Sequence, residues 1–277
     1  AKAVALSQIG FSLGGLSVPL VILALETFGW RETAFFSGVL VVLIGLPLVQ
    51  LVRHRPEPYG EVPDGIVSTP VSPGMTNPAL QDFTAREAMR TRSFWLISVG
   101  HALALLTVSS VMVHLVPHLT EGLGYSLAQA GGIVALMTAC QMVGQIMGGY
   151  LGDRFNKRVI CAACMVAHTV GLLFVTFAVT PLMVLGFALI HGLGWGARGP
   201  LMVALRADYF GSTSFGTIMG FSSLIVMLGM SSGPIIAGVM ADISGNYESG
   251  FALIAGLSLL GSFCFLAATP PHRVARA

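Results

Sequence analysis

Arg198 is a cation inside a stretch that otherwise reads as a membrane span, residues 182–205. It lies about 8 residues from the end of that span, roughly 12 Å inside at the rise of an α-helix. A charge at that depth is costly unless it meets water, a partner or a ligand. At about 100° per residue, His191, Trp195, Arg198 and Met202 share one helix face. Gly192, Gly196 and Gly199 lie on another, roughly 80–140° away. One side of the helix can then pack closely on a neighbour while the other offers a guanidinium, an imidazole and an indole. A planar guanidinium suits a carboxylate, which makes Arg198, His191 and Trp195 candidate substrate-binding residues. Snorkelling towards the headgroups and a bond to helix-end carbonyls remain as structural readings of the arginine. Gln141 and Gln145 share a stripe with Thr138 on another span. Amides within a membrane line a polar cavity or bond a neighbouring helix, and both glutamines join the candidate list. His114, near the outer end of its span on a face with Thr107, Ser110 and His118, is a candidate proton relay or outer-gate residue; an interfacial histidine satisfied by water is the alternative. His101 and His168 read as packing residues.

These side chains need a scaffold, and the composition names one. Apolar residues make up 55% of the 277 positions and charged residues 9%, with a mean hydropathy of +0.83. A soluble domain of this size lacks the interior to hide so much apolar side chain. The chain reads as an all-α polytopic membrane protein, since its apolar runs are long enough to cross about 30 Å of hydrocarbon. The runs are continuous rather than alternating, which argues against a β-barrel. Cys140, Cys161, Cys164 and Cys264 all fall inside apolar runs. Cys161 and Cys164 form a C-x-x-C with no second pair or nearby histidine, so no metal is expected. Neither a phosphate loop nor an assignable nucleophile–base pair is present, so neither an enzyme nor a cofactor is expected. The net charge of +2 carries no argument for nucleic acid as a partner.

Eight spans are expected, at about 3–25, 32–52, 94–117, 127–150, 159–179, 182–205, 213–240 and 250–268. An even count puts both ends on one side. Of the 14 Lys and Arg residues, Arg31 alone falls in a loop on the other side and Arg198 lies in a span. This asymmetry makes both ends cytoplasmic. The first span reads as a packed helix rather than a signal peptide, and the chain as lacking sequence upstream. Residues 53–92 are the one long segment outside the membrane, with Pro56, Pro58, Pro63, Pro70, Pro73 and Pro78; they read as an extended linker. Thr84-Ala-Arg-Glu87 at its end is a capping-box pattern that should start a short helix. No Asp or Glu lies deep in any span.

The loop Gly149-Tyr-Leu-Gly-Asp153-Arg154-Phe-Asn156-Lys157-Arg158 packs charge between two apolar runs. Its basic residues suit anionic headgroups, and Asp153 can face a helix N-terminus. The loop resembles the G-x-L-x-D-R-x-G-R/K-R pattern of the major facilitator superfamily. Asn156 stands where the pattern has Gly and is expected to take the left-handed conformation there. A repeat supports the resemblance: Gly10, Gly14, Gly15 and Pro19 in the first span echo Gly229, Gly233, Pro234 and Gly238 in the seventh, as paired Gly/Pro interruptions do in transporter repeats. Shorter phrases, among them Gly29-Trp30-Arg31, Arg55-Pro56-Glu57, Phe94-Trp95, His114-Leu-Val-Pro117, Asp208-Tyr-Phe-Gly211 and Asp242-Ile-Ser-Gly245, are similar in order to the oxalate–formate antiporter and monocarboxylate-porter branch.

The resemblance implies the major facilitator fold with eight of its twelve helices. Residues 1–52 would be the last two helices of the N-terminal bundle, 53–92 the inter-bundle loop, and 93–277 the C-terminal six-helix bundle with a cytoplasmic tail. It implies a secondary active transporter of a small solute, an organic anion such as a carboxylate, in the cytoplasmic membrane. The solute would move by alternating access with a co-transported proton or an exchanged anion. It also assigns gating to Asp153, Arg154, Lys157, Arg158, Gly233, Pro234 and Pro19. That branch often carries an Arg on the helix holding Gln141, and none is present here, which weighs against a simple carboxylate. A transporter-like membrane sensor or non-transporting partner protein is the competing reading.

Overall fold

The computed structural model describes residues 2–51, 59–60 and 82–271. Most of the 53–92 linker, with all six of its prolines, lies outside the described residues. So do Arg273 and Arg276 of the tail. Eight helical spans are long and apolar enough to cross a membrane among the described residues, matching the expected number and order. The first, Val4–Phe28, is broken: α1 (Lys2–Leu16) ends at Ser17 and α2 (Val18–Phe28) follows. Pro19 sits in the first turn of α2, where a missing N–H leaves no bond unmade. α3 is Trp30–Leu51 and α4 the short Ala85–Met89. Five further spans are α5 (Arg92–Pro117, prolonged by a π-turn His118–Gly122), α6 (Leu127–Gly152), α7 (Lys157–Thr176), α8 (Pro181–Phe210) and α9 (Phe215–Ser244). α10 (Glu248–Ala267) is the last.

The chain divides into two compact units, Leu20–Ala79 and the remainder, Ala1–Pro19 with Leu80–Ala277. In the smaller unit Gly29, at φ +82°, turns the chain between α2 and α3. The Thr33 hydroxyl donates to the Gly29 carbonyl at 2.7 Å, and Arg31 stacks over the Trp30 ring at 5.0 Å. Outward side chains such as Phe35, Val41, Leu43 and Leu48 are exposed and apolar, as lipid requires.

The larger unit is held by close backbone approach and by hydroxyls reaching across helices. α6 and α8 meet on reciprocal glycines: a Cβ at Gly144 or Gly148 would strike the backbone of Leu193 or Ala197, and one at Gly192 or Gly196 the carbonyl of Met137 or Gln141. Small residues at four-residue spacing allow this approach, which lipid-facing helices need because hydrocarbon offers no hydrophobic drive between them. α5 and α9 use the same device, with Gly229 on the Ala102 carbonyl and Gly233 on that of Leu106. α7 and α10 are tied by Ser258 to Met165 O at 3.1 Å, Ser262 to Ala162 O at 3.0 Å and Thr169 to Ala255 O at 3.1 Å. α1 packs on α6, where Gly15 abuts Thr138 and Gly149 abuts Ala5.

The helix ends follow local chemistry. Thr84 and Glu87 form the reciprocal capping box of α4, as the pattern indicated. Asn156 departs from expectation. It sits at φ −65°, ψ 109°, and its side chain accepts from the Arg158 N–H as the N-cap of α7. The turn is short enough that Asn156 already belongs to the next helix, and an N-cap needs extended backbone rather than the left-handed region.

Candidate functional site

A cavity of about 590 Å³ opens within the larger unit, walled by α1, α5, α6, α8 and α9. Its polar lining includes Arg198, Trp195, Gln141, Gln145, His101 and Gln8. Much of the remaining wall is methionine, with Met112, Met202, Met219 and Met230 contributing. The glycine seam explains why polar groups gather here. Once Gly192 and Gly196 lie flat on α6, the next faces of α8 and α6 turn towards the opening, carrying Arg198 and the two glutamines with them.

Arg198 is 1% exposed. Its Nε is buried with no hydrogen-bond partner, and no carboxylate lies within ion-pair distance of it among the described residues. Gln141 is 2% exposed, with a buried Oε1 that also lacks a partner. Unpaired buried polar groups of this kind cost on the order of 1–3 kcal/mol each, more for a charge. Arg158 Nε, His168 Nε2 and His191 Nε2 are buried without a partner as well; of these five groups, Arg198 and Gln141 line the cavity.

His191 does not join them. It is fully buried, with its Nδ1 3.1 Å from that of His168 and its ring against Phe187 at 5.2 Å. The stripe His191–Trp195–Arg198 does run along one face, but α7 covers its N-terminal end. Gly171 lets α7 come so near that a Cβ there would stand 3.0 Å from that of His191. The same stripe is closed at 191 and open at 195 and 198.

His114 lies half-buried near the C-terminal end of α5. It donates from Nε2 to the Pro234 carbonyl at 2.9 Å and rests on the Tyr247 ring, linking α5 to the Gly233–Pro234 segment of α9. In the charged loop Asp153 is exposed at the end of α6, and Arg154 stacks over Tyr150 at 4.1 Å. Lys157 bridges to Asp208 at 2.6 Å, while Arg158 keeps a buried, unpartnered Nε.

Two residues of consequence escaped the sequence reading. Arg206, counted there among loop charges, is 2% exposed inside α8. Its guanidinium donates to Met202 O at 2.9 Å, Ser222 Oγ at 2.8 Å and His101 Nδ1 at 3.2 Å. His101, read as packing, lines the cavity. The signal for Arg206 was Gly211: a glycine at φ +77° stops the helix, five residues beyond the arginine.

Comparison with known proteins assigns the class. Residues 97–277 match the model of the Major Facilitator Superfamily, and the chain belongs to that family. This places it among membrane transport proteins rather than enzymes. It is 25% identical to the MFS transporter asaE of Aspergillus flavus over 93% of this chain and 55% of that protein. It is 27% identical to monocarboxylate transporter 12 of Rattus norvegicus over 88% of this chain and 55% of that one. The membrane sensor protein UhpC of Salmonella typhimurium is 25% identical over 97% of this chain and 64% of its own length. The chain spans about half the length of the curated relatives it matches.

Proposed function

We propose that the full-length protein is a secondary active transporter of a small organic anion, a carboxylate in the first instance, working by alternating access. The observation that carries this reading is Arg198: a buried guanidinium on a cavity wall, with no carboxylate partner among the described residues. Its planar fork matches a carboxylate in two parallel bonds. Trp195, Gln141 and Gln145 flank it on the same wall and would orient the bound solute. The relatives named as monocarboxylate transporters agree with an acid as the solute.

In this reading residues 1–52 are the end of the N-terminal bundle, 53–92 the inter-bundle loop and 93–277 the C-terminal bundle. Both ends face the cytoplasm of an inner, or plasma, membrane, on the evidence of the basic loops. The two bundles rock to expose the cavity to either side in turn. The Asp153–Arg158 loop, Pro19 and the Gly233–Pro234 segment yield during that motion. A proton or an exchanged anion couples it, with His114 as the candidate relay at the outer end.

The test is uptake of labelled mono- and dicarboxylates by the full-length protein in proteoliposomes. Arg198→Gln should abolish uptake at normal folded yield, because removing an unpaired buried charge need not destabilise a bundle. Arg198→Lys should fall sharply, since it keeps the charge and loses the fork. Full uptake by the Gln variant overturns the reading. The membrane sensor among the relatives favours one competitor, a protein that binds the anion without moving it. Arg198-dependent binding with no uptake would select that.

A further inference from the structure

His101 of α5 stands half-buried on the wall of the same cavity. Its contact with Arg206, 3.2 Å between Nδ1 and a terminal guanidinium nitrogen, has only one possible sense. A guanidinium carries N–H donors and no acceptor, so Arg206 donates and Nδ1 accepts. An imidazole that accepts at Nδ1 must hold its single ring proton on Nε2, and an imidazolium cannot accept at either nitrogen. The arrangement therefore selects one tautomer of the neutral ring.

Arg206 is well placed to impose this. It is anchored to its own helix through Met202 O and to α9 through Ser222 Oγ, which shares a hydrogen bond with Ser98 Oγ on α5 at 2.9 Å. These hydrogen bonds link α8, α9 and α5 behind the cavity wall. No protein group bonds His101 Nε2 among the described residues. A fixed N–H at a cavity wall, with no protein acceptor, is a donor set out for a ligand.

We propose that His101 binds the transported solute, donating from Nε2–H to one of its oxygen atoms, and that Arg206 is the positioning residue that holds the ring in that tautomer. The inference rests on the reading of this cavity as the solute site. It adds a neutral donor on α5 to the cation on α8, so that the solute bridges two helices. A carboxylate oxygen, a carbonyl or a hydroxyl meets the requirement, whereas an ammonium group does not.

The experiment has two arms in the full-length protein. In the first, 15N NMR of histidine-labelled protein in nanodiscs should show His101 with a bare Nδ1 and a protonated Nε2. Arg206→Met should release that preference, and Arg206→Gln, which retains a donor, should keep it. In the second, uptake of a panel of carboxylates and neutral polyols is measured for the wild type and two histidine variants. His101→Asn places an amide oxygen where Nδ1 was, so Arg206 stays bonded while the cavity donor is lost. KM should rise about tenfold, the effect of leaving a solute acceptor unpaired, with kcat and folded yield unchanged. His101→Gln carries an N–H out to the Nε2 position and should recover most of that loss. A proton found on Nδ1, or a wild-type KM in His101→Asn, overturns the inference while the transport reading stands. A wild type that moves a polyol and no carboxylate overturns the anion reading, and His101 is then judged by the same KM ratio for the polyol. A wild type that moves no member of the panel overturns both.

Discussion

Gly196 shows at the level of a single residue how tightly this bundle is drawn. A Cβ there would overlap the carbonyl oxygen of Gln141, with the Gln145 backbone nitrogen 2.8 Å away on the same side. Backbone cannot swing aside as a side chain can, so Gly196→Ala should force α8 off α6. Overpacking of this kind costs roughly 1–3 kcal/mol, and the folded fraction in detergent should melt at a clearly lower temperature. Gly256→Ala is the control: open space surrounds that position, and the better helix propensity of alanine should leave the variant as stable as the wild type or slightly more so. Equal melting of the two variants would mean that the seam is looser than its geometry. Because Gln141 and Arg198 flank the seam, Gly196→Ala should also weaken solute binding more than its loss of stability accounts for.

Helix ends set the next scale. Lys157, at the start of α7, and Asp208, near the end of α8, join two helices at 2.6 Å. The pair is partly exposed, with side chains 19% and 51% accessible, so water and salt screen it and it should contribute about 0.2–1 kcal/mol. A double-mutant cycle with Lys157→Ala and Asp208→Ala, read by thermal unfolding, should give a coupling in that range at low salt that fades at high salt. Coupling well above it would mark a true latch between α7 and α8. Asp153→Asn makes a different test. The carboxylate is exposed at the end of α6, where water screens its charge, so neutralising it should cost the fold little. A gating role predicts normal expression with slowed uptake, and normal uptake removes Asp153 from the gate.

For the whole molecule the decisive quantity is orientation across the bilayer. Moving Arg206 from the loops to the interior leaves the basic asymmetry intact, since the Arg154–Arg158 cluster and the basic residues from Arg86 to Arg92 remain on one side. A thiol introduced at Asn246 should therefore react with an impermeant reagent added to sealed cells. Thiols at Asn156 and Asn77 should react only after permeabilisation. Cys140, Cys161 and Cys164 are buried and give little background, and the half-buried Cys264 is replaced by serine in the labelling background. Labelling of position 156 from outside would invert the topology.

Eight spans, their order and the short capped helix before α5 could all be read from the residues, because each depends on a run of chain a few turns long. The glycines at 192 and 196 were equally legible as a contact surface, since helical periodicity alone aligns them. Gly229 and Gly233 were read as interruptions of a transporter repeat, and the structure uses them as close contacts on α5. The site was only half legible. Periodicity put His191, Trp195 and Arg198 on one stripe, but whether a stripe is open or covered depends on the neighbouring helix, and Gly171 on α7 closes it at His191. Arg206 was misread for a related reason: hydropathy falls at a charged residue whether the side chain meets water or three hydrogen-bond acceptors inside a bundle. Composition reports how apolar a segment is, and so whether it enters the membrane. Direction, cover and partners belong to the packing of helices far apart in the chain, which is why His101 could look like filler until α8 brought Arg206 against it.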